Sequence, residues 1–271
     1  MAARILLILG VGVAGAWLCV ASGFKFIRGE GSSMRGTMRA RDSSEHSKGR
    51  LAARPRRART PGPSGLRQLK LEGGRDGLVY VPDGVSAGRA APLMLLLHGA
   101  GGNARQTVAL LRGYADKSGM ILLVPDSRGG TWDLVEGGYG PDVAYIDRAL
   151  EQTFDSYDVD PARVAVGGFS DGASYALSLG ATNGDLFTHV VAFSPGFMAP
   201  ASRHGSPALF ISHGTQDRVL PIDVCSRRIV PRAKGAGYSV RYREFEGAHT
   251  VPPYVVAEAV TWFLEGGAAG G

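Results

Sequence analysis

Two cysteines in 271 residues are too few for a disulfide framework. Cys19 sits in an apolar stretch, and Cys225 falls in an expected helix with no partner in the folded part. The six histidines form no i, i+4 pair and the chain has no Cys-x-x-Cys, so zinc-type ligand spacing is missing and no metal is expected. Despite 40 glycines, Gly-x-x-x-x-Gly-Lys does not occur, which argues against a phosphate-cradling nucleotide site. No internal repeat is visible. Acidic residues are scarce at the front: residues 1–65 hold three Asp+Glu against twelve Lys+Arg, whereas residues 66–271 hold 21 against 18. The net charge of +6 therefore belongs to the first quarter of the chain. The rest carries a slight negative excess and offers no electrostatic basis for binding nucleic acid.

The front divides in two. Arg4 precedes a nearly uncharged apolar run over 5–24, about long enough to cross a bilayer. With Val20-Ala21-Ser22-Gly23 at its end, it reads as a cleaved secretory signal or an uncleaved membrane anchor, with an organelle transit peptide as a third option. Trp17 and Leu18 are too bulky for a lipoprotein signal at Cys19. Residues 25–65 read as a basic disordered linker, rich in Gly, Ser, Arg and Pro without apolar periodicity. Its densest part, Arg54-Pro55-Arg56-Arg57-Ala58-Arg59, fits a solvated tether, a segment adhering to anionic lipid, or a processing site. Basic residues on this side of the apolar run favour a cytoplasmic domain if the run is an anchor; a cleaved signal is less tied to that rule. The expectation is a secreted, extracytoplasmic or membrane-anchored protein. Residues 66–266 form the folded domain, and 267–271 a flexible tail.

From residue 66 the pattern is regular. Residues 67–71 and 77–81 predict an opening β-hairpin. Apolar runs at 93–97, 120–124, 163–167, 189–193 and 208–212 predict buried strands, with a further strand over 239–245. Helical spacing covers 104–118, 141–154, 223–236 and 255–264. Apolar strands alternating with helices imply an α/β fold, a mostly parallel eight-stranded sheet covered on both faces.

Gly168-Phe169-Ser170-Asp171-Gly172 reads G-x-S-x-G between an apolar strand and a helix start. A serine on such a turn is held in a strained backbone with its hydroxyl pushed out above the sheet. The loop after the seventh strand offers Asp217, and the loop after the eighth offers His249. Ser170, Asp217 and His249 thus occur in the chain order of the α/β-hydrolase plan, each at the C-terminal end of a strand. Acyl transfer also needs N–H donors for the developing oxyanion. Asp171, next to the nucleophile, supplies one. Ala100 in the glycine-rich loop after the third strand supplies the other, with Gly99 as its neighbour. His98 is expected to play a structural part beneath that loop. Trp132, Phe197 and Met198 are candidates for walls of the substrate pocket. Only residues 194–207 separate the sixth strand from the seventh, too few for a large lid.

The blocks Leu95-Leu96-Leu97-His98-Gly99, Gly168-Phe169-Ser170-Asp171-Gly172, Ser212-His213-Gly214-Thr215-Gln216-Asp217 and Gly247-Ala248-His249-Thr250-Val251-Pro252 resemble the esterases of the phospholipase/carboxylesterase group. They are also similar to the polyhydroxybutyrate-depolymerase-like and dienelactone-hydrolase-like branches. The resemblance covers residues 66–266. It departs from the usual pattern at Asp171, where Gln or Met is common. It implies the α/β-hydrolase fold without a large lid, and carboxylic-ester or thioester hydrolysis without a cofactor, on a small-molecule or polymer ester. The expected reaction is that of a carboxylesterase-type serine hydrolase passing through an acyl-enzyme, with short- to medium-chain acyl groups preferred. A thioesterase or peptidase on the same triad, or a non-catalytic protein that keeps the hydrolase shape, are the alternatives.

Overall fold

In the computed structural model, residues 43–85 and 88–266 are described. The apolar run at 5–24, the linker up to residue 42 and the tail over 267–271 lie outside them. Among the described residues, no helix is long and apolar enough to cross a membrane.

The strands are β1 (Gly65–Gln68), β2 (Gly77–Val81), β3 (Ala91–Leu97), β4 (Ile121–Pro125), β5 (Val159–Phe169), β6 (His189–Phe193), β7 (Ala208–Gly214) and β8 (Val240–Phe245). The helices are α1 (Ala104–Ser118), α2 (Asp133–Glu136), α3 (Pro141–Ser156), α4 (Asp171–Thr182), α5 (Ser226–Gly235) and α6 (Pro253–Leu264). The strands form one sheet in the order β1-β2-β4-β3-β5-β6-β7-β8. The first two join antiparallel and the other six run parallel. Apolar side chains alternate across β3: Leu93, Leu95 and Leu97 pack with α3 and α4 on one face, while Met94 and Leu96 pack with α1 and α6 on the other. A strand buried on both faces must be apolar throughout, which is why these runs were legible without alternation.

Several boundaries move for local reasons. β1 stops at Gln68 because Lys70 adopts φ 57° and its N–H turns to the Asp76 carboxylate at 2.7 Å. β5 begins at Val159, earlier than its apolar run, because register slips between the Ala91↔Val159 and Leu93↔Val164 pairs. α5 begins only at Ser226, since residues 221–225 form turns closed by Pro221 and Ile222 carbonyls. The connection between β6 and β7 contains no helix.

The main departure is at residues 43–64, which composition assigns to a disordered linker. They form a strap across α3 and α4. Leu51 and Ala53 are buried. The Leu51 N–H donates to Asn183 Oδ1 at 2.9 Å, and Asn183 Nδ2 donates to the Gly49 carbonyl at 2.7 Å. Asp147 accepts from the N–H groups of Ala52 and Ala53 at 2.9 and 2.8 Å. Arg50 forks onto Asp185, with both contacts at 2.9 Å, and Arg56 holds Asp155 at 2.8 Å. The basic run is thus largely spent on acids of its own domain. Such a strap docks through ion pairs and backbone donors, and these leave no hydrophobic period to read.

The hydrogen bond from Arg50, with help from Arg54, outweighs burial and holds the Asp185 carboxyl well below the usual carboxylate range. A depressed carboxylate contributes stability above its unfolded pKa of about 3.9 and loses it as pH falls through the folded value. Because the pair is partly exposed, its contribution is roughly 1 kcal/mol. Asp185→Asn is therefore expected to lower the melting temperature by about 2–4 °C at pH 7, and by less at pH 3. Identical melting curves at pH 7 would rule out this anchor.

Candidate active site

Ser170 begins the turn from β5 into α4 with φ 57° and ψ −119°, a region that costs a non-glycine residue energy. Its N–H is tied to the Phe193 carbonyl at 2.9 Å. The flanking glycines are there for space. A Cβ on Gly168 would collide with the backbone of Gly172, and one on Gly172 with the carbonyls of Leu97 and His98. Ser170 is only 8% exposed.

His249, in the loop after β8, places Nε2 at 2.9 Å from Ser170 Oγ and Nδ1 at 2.6 Å from Asp217 Oδ2. A carboxylate only accepts, so Nδ1 carries the proton and Nε2 is free to accept from the serine hydroxyl. The ring lies against Phe169, with centroids 4.6 Å apart. Asp217 Oδ1 accepts from the N–H groups of Val219 and Leu220 at 2.9 and 2.8 Å. Burial pushes the Asp217 carboxyl up, but the His249 hydrogen bond and these two donors outweigh it and hold the group below the ordinary carboxylate range.

A second histidine serves the same acid. His213 is fully buried and its Nε2 lies 3.2 Å from Asp217 Oδ2 and 2.8 Å from the Leu220 carbonyl. Ser226 Oγ stands 2.7 Å from its Nδ1. Burial lowers the His213 pKa, so the ring is neutral at pH 7. Its Nε2–H donates towards Leu220 and Asp217, and Nδ1 accepts from Ser226. The motif contained His213, but spacing alone did not assign it this contact.

The glycine-rich loop over 98–102 lies beside the nucleophile: a Cβ on Gly99 would stand 3.4 Å from Ser170 Cβ. Ala100 is in this loop. Asp171 is the first residue of α4, so its N–H has no carbonyl one turn back to bond. Three groups pin the loop. Trp132 Nε1 donates to the His98 carbonyl at 2.8 Å, and the Ser127 N–H donates to His98 Nε2 at 3.0 Å. Arg75, from the β1–β2 turn, donates to the Gly102 carbonyl at 3.0 Å and the Ser127 carbonyl at 2.7 Å. Burial lowers the His98 pKa, in keeping with a neutral ring that accepts at Nε2 and donates from Nδ1 to the Gly99 carbonyl at 2.7 Å. Thr131 fixes the Asp171 side chain at 2.7 Å.

Among the expected pocket walls, Trp132 needs correction. Trp132 is 0% exposed, sandwiched between His98 and Tyr175 with centroids at 4.8 and 5.2 Å. It supports the loop from within the core. Phe197 and Met198 line a separate groove against α5. The cavity that borders His249 and the glycine-rich loop has a volume of 450 Å³ and is walled by Leu96, Thr107, Leu110, Phe169 and Val251. Whether an apolar loop residue faces a cavity or the core depends on backbone direction, which composition does not carry. Among the described residues no cluster of His, Cys, Asp or Glu has metal-binding geometry.

The sequence model of the phospholipase/carboxylesterase family matches residues 143–264. Esterase PE8 superposes with a TM-score of 0.58 at 24% identity, covering 70% of this chain and 97% of its own. The carboxylesterase of Bacillus cereus gives 0.54 at 20% identity, over 69% and 92%. The chain has the α/β-hydrolase fold. Among similar proteins, feruloyl esterase C of Emericella nidulans is 28% identical over 168 residues, 59% of this chain and 60% of the relative. The acetylxylan esterase of Coprinopsis cinerea is 34% identical over 122 residues, 40% and 32% of the two chains. The alignment with a probable feruloyl esterase C of Aspergillus oryzae spans 57% of that protein, so the chain matches at most about three-fifths of these relatives.

Proposed function

We propose that the protein hydrolyses carboxylic esters through an acyl-enzyme on Ser170. The observation that carries this reading is the unbroken relay Asp217–His249–Ser170 at 2.6 and 2.9 Å. Ser170 Oγ attacks the acyl carbonyl as His249 Nε2 takes its proton. Asp217 holds the Nδ1–H tautomer and stabilises the imidazolium that forms. The N–H groups of Ala100 and Asp171 receive the oxyanion. His249 then returns the proton to the departing alkoxide, releasing the alcohol. Water attacks the acyl-enzyme with His249 as base, and the acid leaves with Ser170 restored. A fluorophosphonate probe is expected to modify this serine, with the labelled peptide identified by mass spectrometry; an unlabelled Ser170 in folded protein would refute the proposal.

In this reading Arg75 is a positioning residue. Its fork fixes the carbonyl face of the 98–102 loop, so that the Ala100 N–H points at the oxyanion. Removing one oxyanion donor costs 10²–10³-fold in kcat; loosening it through Arg75→Met is expected to cost roughly 10–100-fold, with KM little changed. Lysine lacks the planar fork, so Arg75→Lys should restore little. A variant that only melts earlier, with kcat intact, would leave Arg75 a purely structural residue.

The 450 Å³ cavity supports a short- to medium-chain acyl group, with Leu96, Leu110 and Phe169 about the chain. The p-nitrophenyl ester of butyrate should be turned over at least tenfold faster, in kcat/KM, than that of laurate; the reverse order would contradict the assignment. The names of the relatives, feruloyl and acetylxylan esterases, support acyl groups borne on a polymer. The apolar run at 5–24 supports a place outside the cytoplasm, secreted or anchored, which N-terminal sequencing of the mature protein tests.

A further inference from the structure

Beyond the acid loop, a groove of 390 Å³ runs between the 196–203 segment and α5. Its floor is apolar, with Phe197, Met198 and Ile229. Its rim carries three guanidiniums. Arg228 and Arg232 stand four residues apart on α5, so their side chains share one face. Arg203 faces them from the loop. Its contacts are neutral: Tyr238 Oη at 3.0 Å, the Ala236 carbonyl at 2.6 Å and the Tyr238 ring, 4.5 Å from the guanidinium carbon. Among the described residues none of the three has an acidic partner. Neighbouring arginines do: Arg227 pairs with Asp223 and Glu244, and Arg241 with Glu258. Residues 201–243 hold eight Lys+Arg and two Asp+Glu, on a domain whose overall balance is negative. The cationic groove is therefore a local departure from the charge of its own domain.

The near end of the groove, at Gly196, is tied to the turn that carries the nucleophile. The Gly196 N–H donates to Ser174 Oγ at 2.9 Å, and that hydroxyl donates to the Ser170 carbonyl at 3.1 Å. Leu220, tied to Asp217 through its N–H, packs near Gly196. Val224, 52% exposed, lines the groove, and Val219, 67% exposed, stands two residues from Asp217 in the acid loop. A ligand matching this arrangement has a reacting ester at Ser170, an apolar stem, and an anionic end among the guanidiniums.

We propose that this groove binds the carboxylate end of the substrate's alcohol part, so that the preferred substrate is the ester of a carboxylate-bearing alcohol. The proposal rests on the Ser170 hydrolase reading for its catalytic arm, and a carboxylate matches the arginine fork in geometry as well as charge. Exposed charges steer and select mainly through binding, and salt screens them.

The test compares 8-butyryloxyoctanoate with its methyl ester, two substrates with the same stem and acyl group that differ in end charge. The wild type is expected to favour the free acid at least tenfold in kcat/KM at low salt, mainly through KM, with the preference shrinking in 1 M NaCl. Arg228→Gln/Arg232→Gln should reduce the ratio to about one while leaving p-nitrophenyl butyrate turnover unchanged. Wild-type enzyme that turns over p-nitrophenyl butyrate without preferring the acid overturns the groove and leaves the hydrolase reading intact. Calorimetry with 8-hydroxyoctanoate needs no turnover: binding to wild type and not to the double variant supports the groove even if esterase activity fails, and equal or no binding overturns it.

Discussion

Ser170→Ala is expected to remove ester turnover and fluorophosphonate labelling together, with kcat down roughly 10⁴–10⁶-fold. The substitution deletes the one oxygen that sits 2.9 Å from His249 Nε2 and leaves the oxyanion donors in place. What activity remains comes from those donors and from binding. The fold should persist. Serine and alanine strain the φ 57° backbone alike, and the side chain makes no packing contact that alanine lacks. Glycine, however, adopts positive φ freely. Ser170→Gly should therefore be as inactive as the alanine variant but more stable, by about 1 kcal/mol. Thermal melts of the two inactive variants measure the strain stored at the turn. Full turnover in either removes Ser170 from the chemistry.

Asp217→Asn should cost almost as much, about 10⁴-fold in kcat, because of hydrogen-bond direction. The N–H groups of Val219 and Leu220 both point at Oδ1. In the variant they dictate that the amide oxygen occupies that site, which leaves the amide NH₂ facing His249 Nδ1. His249 must then accept at Nδ1 and carry its proton on Nε2, where it opposes Ser170 and has no room for the serine proton. The NH₂ also meets His213 Nε2, 3.2 Å from the present oxygen, and that nitrogen already carries a proton. Two donors would confront each other in a buried site, so some stability should be lost as well. A drop in kcat with KM nearly unchanged is the expected signature. A loss smaller than tenfold would mean that His249 is held by something other than Asp217.

Ser170 and Asp217 were legible because each lies in a loop after a strand marked by an apolar run, and because the serine turn needs glycines that the sequence displays; His249 follows the mixed strand β8 and was legible from its motif and chain order. The central strands were legible for the same reason, since burial on both faces leaves little doubt about Leu93–Leu97 or His189–Phe193; β1 and β8 are only partly buried. Direction was not legible. Arg75 read as a hairpin turn residue, yet its guanidinium reaches across to the Gly102 and Ser127 carbonyls. Trp132 read as a pocket wall, yet it faces inward. The strap was hidden for another reason. Arg50 finds Asp185 and Ala52 finds Asp147 across roughly a hundred residues or more, and single ion pairs of that separation leave no local pattern.

Several of the strap's anchors share one end of the domain. Asn183 and Asp185 follow the last turn of α4, Asp155 lies in the last turn of α3, and Asp158 just precedes β5. Ser170 stands at the opposite end of α4, some 18 Å away along a twelve-residue helix. Arg50, Leu51, Arg56 and Ala58 therefore attach at the end away from the nucleophile, while Ala52 and Ala53 bind Asp147 midway along α3. Trimming the chain before residue 43 would therefore keep every one of these anchors.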